Sequence, residues 1–473
     1  MSQRKNTIIV SEIENFFSGN CGKAINGIIN VIKALKFTDR HLGLQTKCNA
    51  SRSTTDKLLT MIQFPLFGVK DPWSYCFGQA SRLIDAGKDQ FYRLLNEATI
   101  NWRNVNYVIV NGLLALISKR AETTDPICLI VDDTDLPKRG ICMEFISRIY
   151  SHVTHTYKLG FKMLALALDD GKQMSCVDFS LHGEKGRNNN YGLTDKQLKC
   201  RKKVRHSAKN PDSERIAEYS MSKTDTLIGM IRRFVQRGHR ADYLLADSWF
   251  ACDKLLKFVR RLKCGMHYLG MAKLNDTKYD INGKDLSAKQ LSKQKRKQTR
   301  CRSLNCRYFV VRAIYKGLDV QLFFVRLGKC KTWRILITTD LDLDFEKAYR
   351  LYARRWNIEV FFKECKQHLN LGGCQSHSFN AQIAATTICM IQYNLLATAK
   401  RFGCYETFGE LFRAAGIEAT ETTLSKRILL VIQEIIIDLA DFLETDADVL
   451  IKKYICDNES FRKHFNLQTL GAA

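Results

Sequence analysis

The sequence predicts an α/β protein: a central sheet that opens with three antiparallel strands, a mainly β insertion within it, and helical regions at both ends. Three observations predict this. Ile127-Cys128-Leu129-Ile130-Val131 is a continuous apolar run, the pattern of a strand covered on both faces. Two more strand-like runs, Tyr157 to Leu168 and Met174 to Leu181, are joined by the turn sequence Asp169-Asp170-Gly171-Lys172. Beyond Ser213, helical periodicity alternates with short apolar runs.

In chain order, residues 1–125 read as a helical DNA-binding region, with Ile25, Ile28, Ile29, Ile32 and Leu35 at helical spacing. Within it, Gln79 to Asn96 reads as a helix-turn-helix with Gly87 at the turn and Lys88 and Arg93 exposed, or as an ordinary helical hairpin. Residues 126–275 hold the strands named above. A basic stretch from Gly183 to Asn210 follows them, then a helix over Ser213 to Arg237 and a strand over Asp242 to Asp247. A helix over Cys252 to Lys263 and a strand over His267 to Lys273 complete this part. Residues 276–340 form the β insertion. It opens on a cationic run through Lys289, Lys295, Arg296, Lys297 and Arg302, and its last strand is expected to carry Trp333. Asp344 caps a long helix to about Asn370 within a segment of residues 341–375, and residues 376–473 are helical. Three antiparallel strands followed by α/β crossovers is the order of a ribonuclease H-like core, in which the first and fourth strands are neighbours.

The chain of 473 residues carries 74 Lys and Arg against 48 Asp and Glu, a net charge of +26 that points to a nucleic-acid partner. Its 17 cysteines are odd in number and include no Cys-x-x-Cys pair. Free thiols in a reducing, cytoplasmic compartment are therefore expected, rather than a zinc module or a secreted disulfide framework. The start, Met-Ser-Gln-Arg-Lys, does not read as a signal peptide. The uncharged run Ala381 to Ala399 contains Gln382, Gln392 and Asn394, which favours a buried helix over a membrane span. Gly183-Glu184-Lys185-Gly186 lacks the spacing of a phosphate loop, so no nucleotide cofactor is expected. His152, His155 and His182 read as packing or phosphate-proximal residues rather than metal ligands.

Phosphodiester chemistry on DNA commonly uses two divalent metals held by acidic side chains from separate elements. Asp132 and Asp247 each end a predicted strand, and the two strands are expected to be adjacent. An Asp at a strand end is also a common turn-former. On the long helix, Leu351, Ile358, Phe362, Cys365 and Leu369 form an apolar stripe, and Tyr352, Arg355, Glu359 and Lys366 form a second stripe beside it. That second stripe suits a metal next to phosphates. It equally suits a surface salt bridge between Arg355 and Glu359 at i, i+4.

Tyr352, Arg355, Glu359 and Lys366 are separated by two, three and six intervening residues. They resemble the Tyr-(2)-Arg-(3)-Glu-(6)-Lys signature of one branch of the DDE cut-and-paste transposases of bacterial insertion sequences. Supporting runs are Val131-Asp132-Asp133-Thr134, Leu159-Gly160-Phe161-Lys162, Phe179-Ser180-Leu181-His182 and Ala246-Asp247-Ser248, so the resemblance covers about Ile127 to Ser376. It implies that Asp132, Asp247 and Glu359 are catalytic and bind two Mg2+ ions, with Mn2+ as a substitute. Asp133 is the alternative first acid. It implies that Tyr352, Arg355 and Lys366 hold the DNA strand, and that Trp333 stacks on a base flipped out as a hairpin forms. A core position in the insertion is the other reading of Trp333. Lys295, Arg296 and Lys297 are candidate phosphate contacts, or else a solvated loop. The expected partners are double-stranded DNA, at the element ends and the target, and a second copy in a synaptic homodimer. The C-terminal helices are the candidate dimer contact, at the nucleoid and with no membrane. The rival readings are a nuclease of the same fold without strand transfer, and a non-enzymatic DNA-binding derivative.

Overall fold

The computed structural model describes residues 23–77, 86–120, 125–152, 154–328, 330–442, 449–450, 453–454 and 457–460. The chain divides into two compact units. One takes Met1–Ile117, Lys366–Cys374 and Asn380–Ala473, and the other takes Ser118–Cys365 and Gln375–Phe379.

The described residues of the first unit are mainly helical. It begins with α1 (Lys23–Ala34), α2 (Asp39–Leu42), α3 (Thr54–Gln63), α4 (Pro72–Phe77), α5 (Lys88–Asn96) and α6 (Trp102–Arg120). Ile25, Ile28, Ile29 and Ile32 are buried, as their spacing requires. Ser53 and Asp56 form a capping box that starts α3. Phe64, Tyr75 and Phe91 pack ring on ring, with centroids 5.0 to 5.7 Å apart. Glu418, far along the chain, accepts from the α1 amides of Ala24 and Ile25 at 3.3 and 2.8 Å, and so satisfies two donors that a helix start leaves open. Gln392 donates to the Met61 carbonyl at 3.0 Å. Of the expected helix-turn-helix, α5 is present with Lys88 and Arg93 exposed, while residues 79–85 lie outside the described residues.

The second unit is built on a sheet. Its elements are β1 (Cys128–Pro137), β2 (Ser147–Ser151), β3 (Thr156–Asp169), β4 (Met174–His182), α7 (Asp195–Cys200), α8 (Asp212–Ser220), α9 (Lys223–Gln236), β5 (Tyr243–Ala246), α10 (Asp253–Arg261) and β6 (His267–Ala272). These are followed by β7 (Lys278–Ile281), β8 (Lys284–Ser287), α11 (Ala288–Lys293), β9 (Thr299–Cys301), β10 (Cys306–Tyr315), β11 (Leu318–Leu327), β12 (Arg334–Thr338), α12 (Phe345–Ala353) and α13 (Asn357–His368). Helices α14 (Phe379–Phe402) and α15 (Phe408–Phe442) then belong almost wholly to the first unit.

The sheet order is β2-β3-β1-β5-β6-β12-β11-β10-β7-β8, with β4 paired to β3 and β9 to β10. β1 runs antiparallel to β3 and parallel to β5, so the expected first and fourth strands are neighbours. β4 is buried along its whole length.

The structure departs from the sequence reading, or adds to it, in four places. β1 does not stop at the carboxylates. It continues to Pro137 because β3 is long enough to pair with it as far as Gly160. Ser147–Ser151 forms a strand that the sequence does not predict, on the first half of β3. The strands of residues 276–340 extend the same sheet, because β12 pairs antiparallel with β6. The long helix is broken by a 3-10 turn at Arg354–Trp356, although Asp344 does cap its start. The apolar stripe survives the break, since Leu351, Ile358, Phe362, Cys365 and Leu369 are all buried. Among the described residues, no helix is long and apolar enough to cross a membrane.

Candidate active site

β1 and β5 pair in register through Ile130 and Leu245. Asp132 and Asp247 are each two residues further on, so the two carboxylates stand level where the strands part. Asp247 follows the last residue of β5, and its Oδ1 accepts from the Trp249 amide at 2.9 Å.

Side chains alternate along β1, so Asp132 and Asp133 serve opposite faces. Asp132 turns to Arg355, whose Nη1 donates to Oδ2 at 2.8 Å. The other guanidinium nitrogen, Nη2, donates to Glu359 Oε1 at 2.6 Å. Asp133 pairs instead with Lys223 at the start of α9. Asp135 pairs with Lys162 of β3 at 3.2 Å, and Glu184 lies 3.6 Å from the same ammonium. The structure thus brings Asp132, Arg355 and Glu359 into one hydrogen-bonded chain and directs Asp133 away from it.

The electrostatics follow from burial. Asp132 is pushed up to about 6, chiefly by desolvation, with the Asp133 and Asp247 charges adding and Arg355 opposing. Tyr352, whose ring lies 6.0 Å from the Arg355 guanidinium carbon, is pushed up to about 12 by burial. Burial alone would lower Arg355, but Glu359, Tyr352 and Asp132 more than offset it and hold its proton more tightly. Tyr268 is wholly buried, and burial with Tyr352 and Asp247 nearby keeps its phenol protonated. His182 is buried and pushed down to about 4, by desolvation first and by Lys223 second.

The remaining predicted residues lie apart from this hydrogen-bonded chain. Lys366 is exposed in the last turn of α13, about two turns beyond Glu359. Trp333 directly precedes β12 rather than lying in it. It is half-buried, edge-on to Phe309 at 5.0 Å, with the Arg326 guanidinium 4.6 Å from its ring. Lys295, Arg296 and Lys297 link α11 to β9, with Lys295 and Lys297 exposed.

Sequence reasoning passed over two exposed tryptophans beside motif residues. Trp249 follows Asp247 by two positions, and Lys223 lies 5.2 Å from its ring. Trp356 directly follows Arg355 and is 60% exposed. It borders a cleft of about 300 Å³ with Tyr349, Tyr352, Arg355, Met271 and Leu336. A tryptophan adjoining a motif acid or arginine was the available signal for both. Lys223 gave no such signal, because its partner Asp133 is 90 positions away.

Among the described residues, no three His, Cys, Asp or Glu side chains stand close enough to hold a metal ion as they are. Arg355 bridges Asp132 and Glu359 instead.

Residues 216–395 match the family described as Transposase DDE domain. Residues 78–281 match the family described as DDE superfamily endonuclease. Both support a DDE transposase. The first match contains Asp247 and Glu359 and the second contains Asp132 and Asp247, so together they span the candidate acids. No curated protein matches the chain. A solved structure titled "Cryo-EM structure of piggyBac transposase synaptic complex with hairpin DNA" is 11% identical, covering 89% of this chain and 81% of that one with a TM-score of 0.44.

Proposed function

We propose that this chain is a metal-dependent DNA transposase that cleaves the ends of an insertion sequence and joins them to target DNA. The observation that carries the reading is the level pair Asp132 and Asp247 at the parting of β1 and β5, with Glu359 linked to Asp132 through Arg355. The run β4-β3-β1-β5-β6, antiparallel and then parallel, has the order expected of a ribonuclease H-like core.

Asp132, Asp247 and Glu359 would hold the metal. Carboxylate oxygens alone suit magnesium, with manganese as a substitute. The raised Asp132 carboxyl supports this fit, because a divalent cation would offset the cost of its burial first and the smaller repulsion from Asp133 and Asp247 second. When bound, the metal supplies activation of the attacking oxygen and stabilisation of the leaving one. Asp132 rather than Asp133 is the first acid in this reading, since Asp133 is taken by Lys223. Arg355 would exchange its two carboxylates for a backbone phosphate, which its fork can grip with two bonds. Tyr352 and Lys366 would steady the same strand. Trp333 would take a flipped base as the freed 3′ hydroxyl attacks the opposite strand and closes a hairpin. A synaptic homodimer, with the C-terminal helices in contact, would bring two ends together.

The test is incubation of the purified protein with end-bearing duplex DNA and magnesium. Nicked, hairpin and strand-transfer products are expected. Nicks without transfer from a precut end would make the protein a nuclease, and binding without any cleavage would make it a DNA-binding derivative.

A further inference from the structure

Arg354, next to Arg355, faces away from the acids and into a different set of partners. Its Nε donates to Asp169 Oδ1 at 2.6 Å, its Nη2 to the Asp169 carbonyl at 2.7 Å, and its Nη1 to the Pro126 carbonyl at 2.7 Å. Asn357 donates to the second carboxylate oxygen, Oδ2, at 2.8 Å. The Gly171 amide completes the set at 3.0 Å on Oδ1. The Asp169 side chain is 1% exposed and that of Arg354 is 16% exposed. Asp169 ends β3 and pairs with Cys128 at the start of β1, the strand that carries Asp132.

A pair this deeply buried is a weak source of stability, because desolvation consumes most of what the charges gain. What it fixes is direction. Arg354 to Trp356 form the 3-10 turn that separates α12 from α13. A 3-10 turn advances about 120° per residue against about 100° in an α-helix, so three residues turn α13 by roughly 60° more than a continuous helix would. Arg354 and Asn357 stand at the two ends of that turn, and both are held by the one carboxylate. If the turn relaxed to regular helix, Glu359 would stay beside Arg355 at i, i+4, but α13 would rotate and carry Glu359 out of line with Asp132.

We propose that Asp169 and Arg354 are positioning residues for the reaction, their buried fork holding the turn that aims Arg355 and Glu359 at Asp132. This rests on the reading of Asp132 and Glu359 as catalytic acids. The test uses the full chain carrying Arg354→Lys, which keeps the charge and loses the fork. A second variant, Asp169→Asn with Arg354→Gln, removes both charges and leaves none unpaired. Single-turnover nicking at saturating end DNA should fall on the order of 100-fold, as expected when reacting groups are misplaced by about 1 Å. Affinity for the DNA should hold, and amide exchange should quicken over residues 354–359 while the sheet stays protected. Nicking at the wild-type rate in a folded variant overturns the proposal. So does joint loss of DNA affinity and of protection across the whole sheet, which would mean a role in stability alone. If the double variant does not fold, Arg354→Lys decides by the same readouts. Asp132→Ala and Glu359→Ala are run beside them. If those two still nick, the reading of the site fails. If they are inactive while the Arg354 variants nick normally, only the positioning proposal fails.

Discussion

Arg355 Nη1 lies 2.8 Å from Asp132 Oδ2, a hydrogen bond that joins residues 223 positions apart. The same guanidinium holds Glu359, so the i, i+4 pair readable in the helix is one half of a longer bridge to β1. A surface salt bridge would have left Arg355 exposed, whereas its side chain is 14% exposed.

Asp132→Ala, Asp247→Ala and Glu359→Ala should each abolish cleavage in magnesium and leave binding to end DNA nearly intact. Affinity comes mainly from Lys and Arg side chains on phosphate. Asp133→Ala, which unpairs Lys223, should keep cleavage. Loss of activity in Asp133→Ala with retention in Asp132→Ala would move the first acid by one residue, and gel assays for nicking and for binding distinguish the cases.

The pH dependence of stability should carry the mark of His182. Its folded value is pushed down to about 4 from an ordinary 6.5, so between those limits the unfolded chain binds more protons than the fold does. Stability is therefore present above about 6.5 and is lost as pH falls through about 4. The loss is on the order of 3 kcal/mol for a shift of this size. Denaturant unfolding of wild type against His182→Gln across that window should show the difference. Parallel curves would mean that His182 titrates normally.

Replacing Lys295, Arg296 and Lys297 with Gln should flatten the slope of log affinity against log salt. On duplex DNA, every phosphate that the protein no longer neutralises takes roughly 0.9 off that slope. An unchanged slope would make this stretch a solvated loop.

Trp333→Ala should nick normally but form little hairpin, since stacking on an aromatic ring is worth roughly 1–3 kcal/mol per base. An abasic site at the flipped position should restore part of the hairpin. The packing of Trp333 against Phe309 and Arg326 defines the opposite outcome. If nicking and hairpin formation fail together, alongside a lowered melting temperature, Trp333 is a core residue.

The strands with strong local signals were legible in the sequence. The apolar run at Ile127 to Val131, the turn at Asp170 and Gly171, and the cap at Asp344 all appear where their chemistry puts them. The neighbours β1 and β5 were legible through strand order. What escaped was set by distant partners. β2 has mixed burial and exists because the long β3 offers it an edge. The break at Arg354 to Trp356 carries no Pro or Gly, and the carboxylate that holds Arg354, Asp169, lies 185 positions earlier. Likewise the pairing of Asp133 with Lys223 shows only once α9 is folded against β3 and β4.

The pairing of β12 with β6 has a consequence for truncation. Removing residues 276–340 would strip the cover from β6 and expose a row of unpaired amides and carbonyls in the middle of an apolar sheet. Such an edge recruits strands from other molecules. The natural sheet instead ends at β8, four residues reading Lys-Asp-Leu-Ser, which is too short and too charged to template another chain. A shortened protein should therefore collect in inclusion bodies rather than survive as a smaller soluble domain.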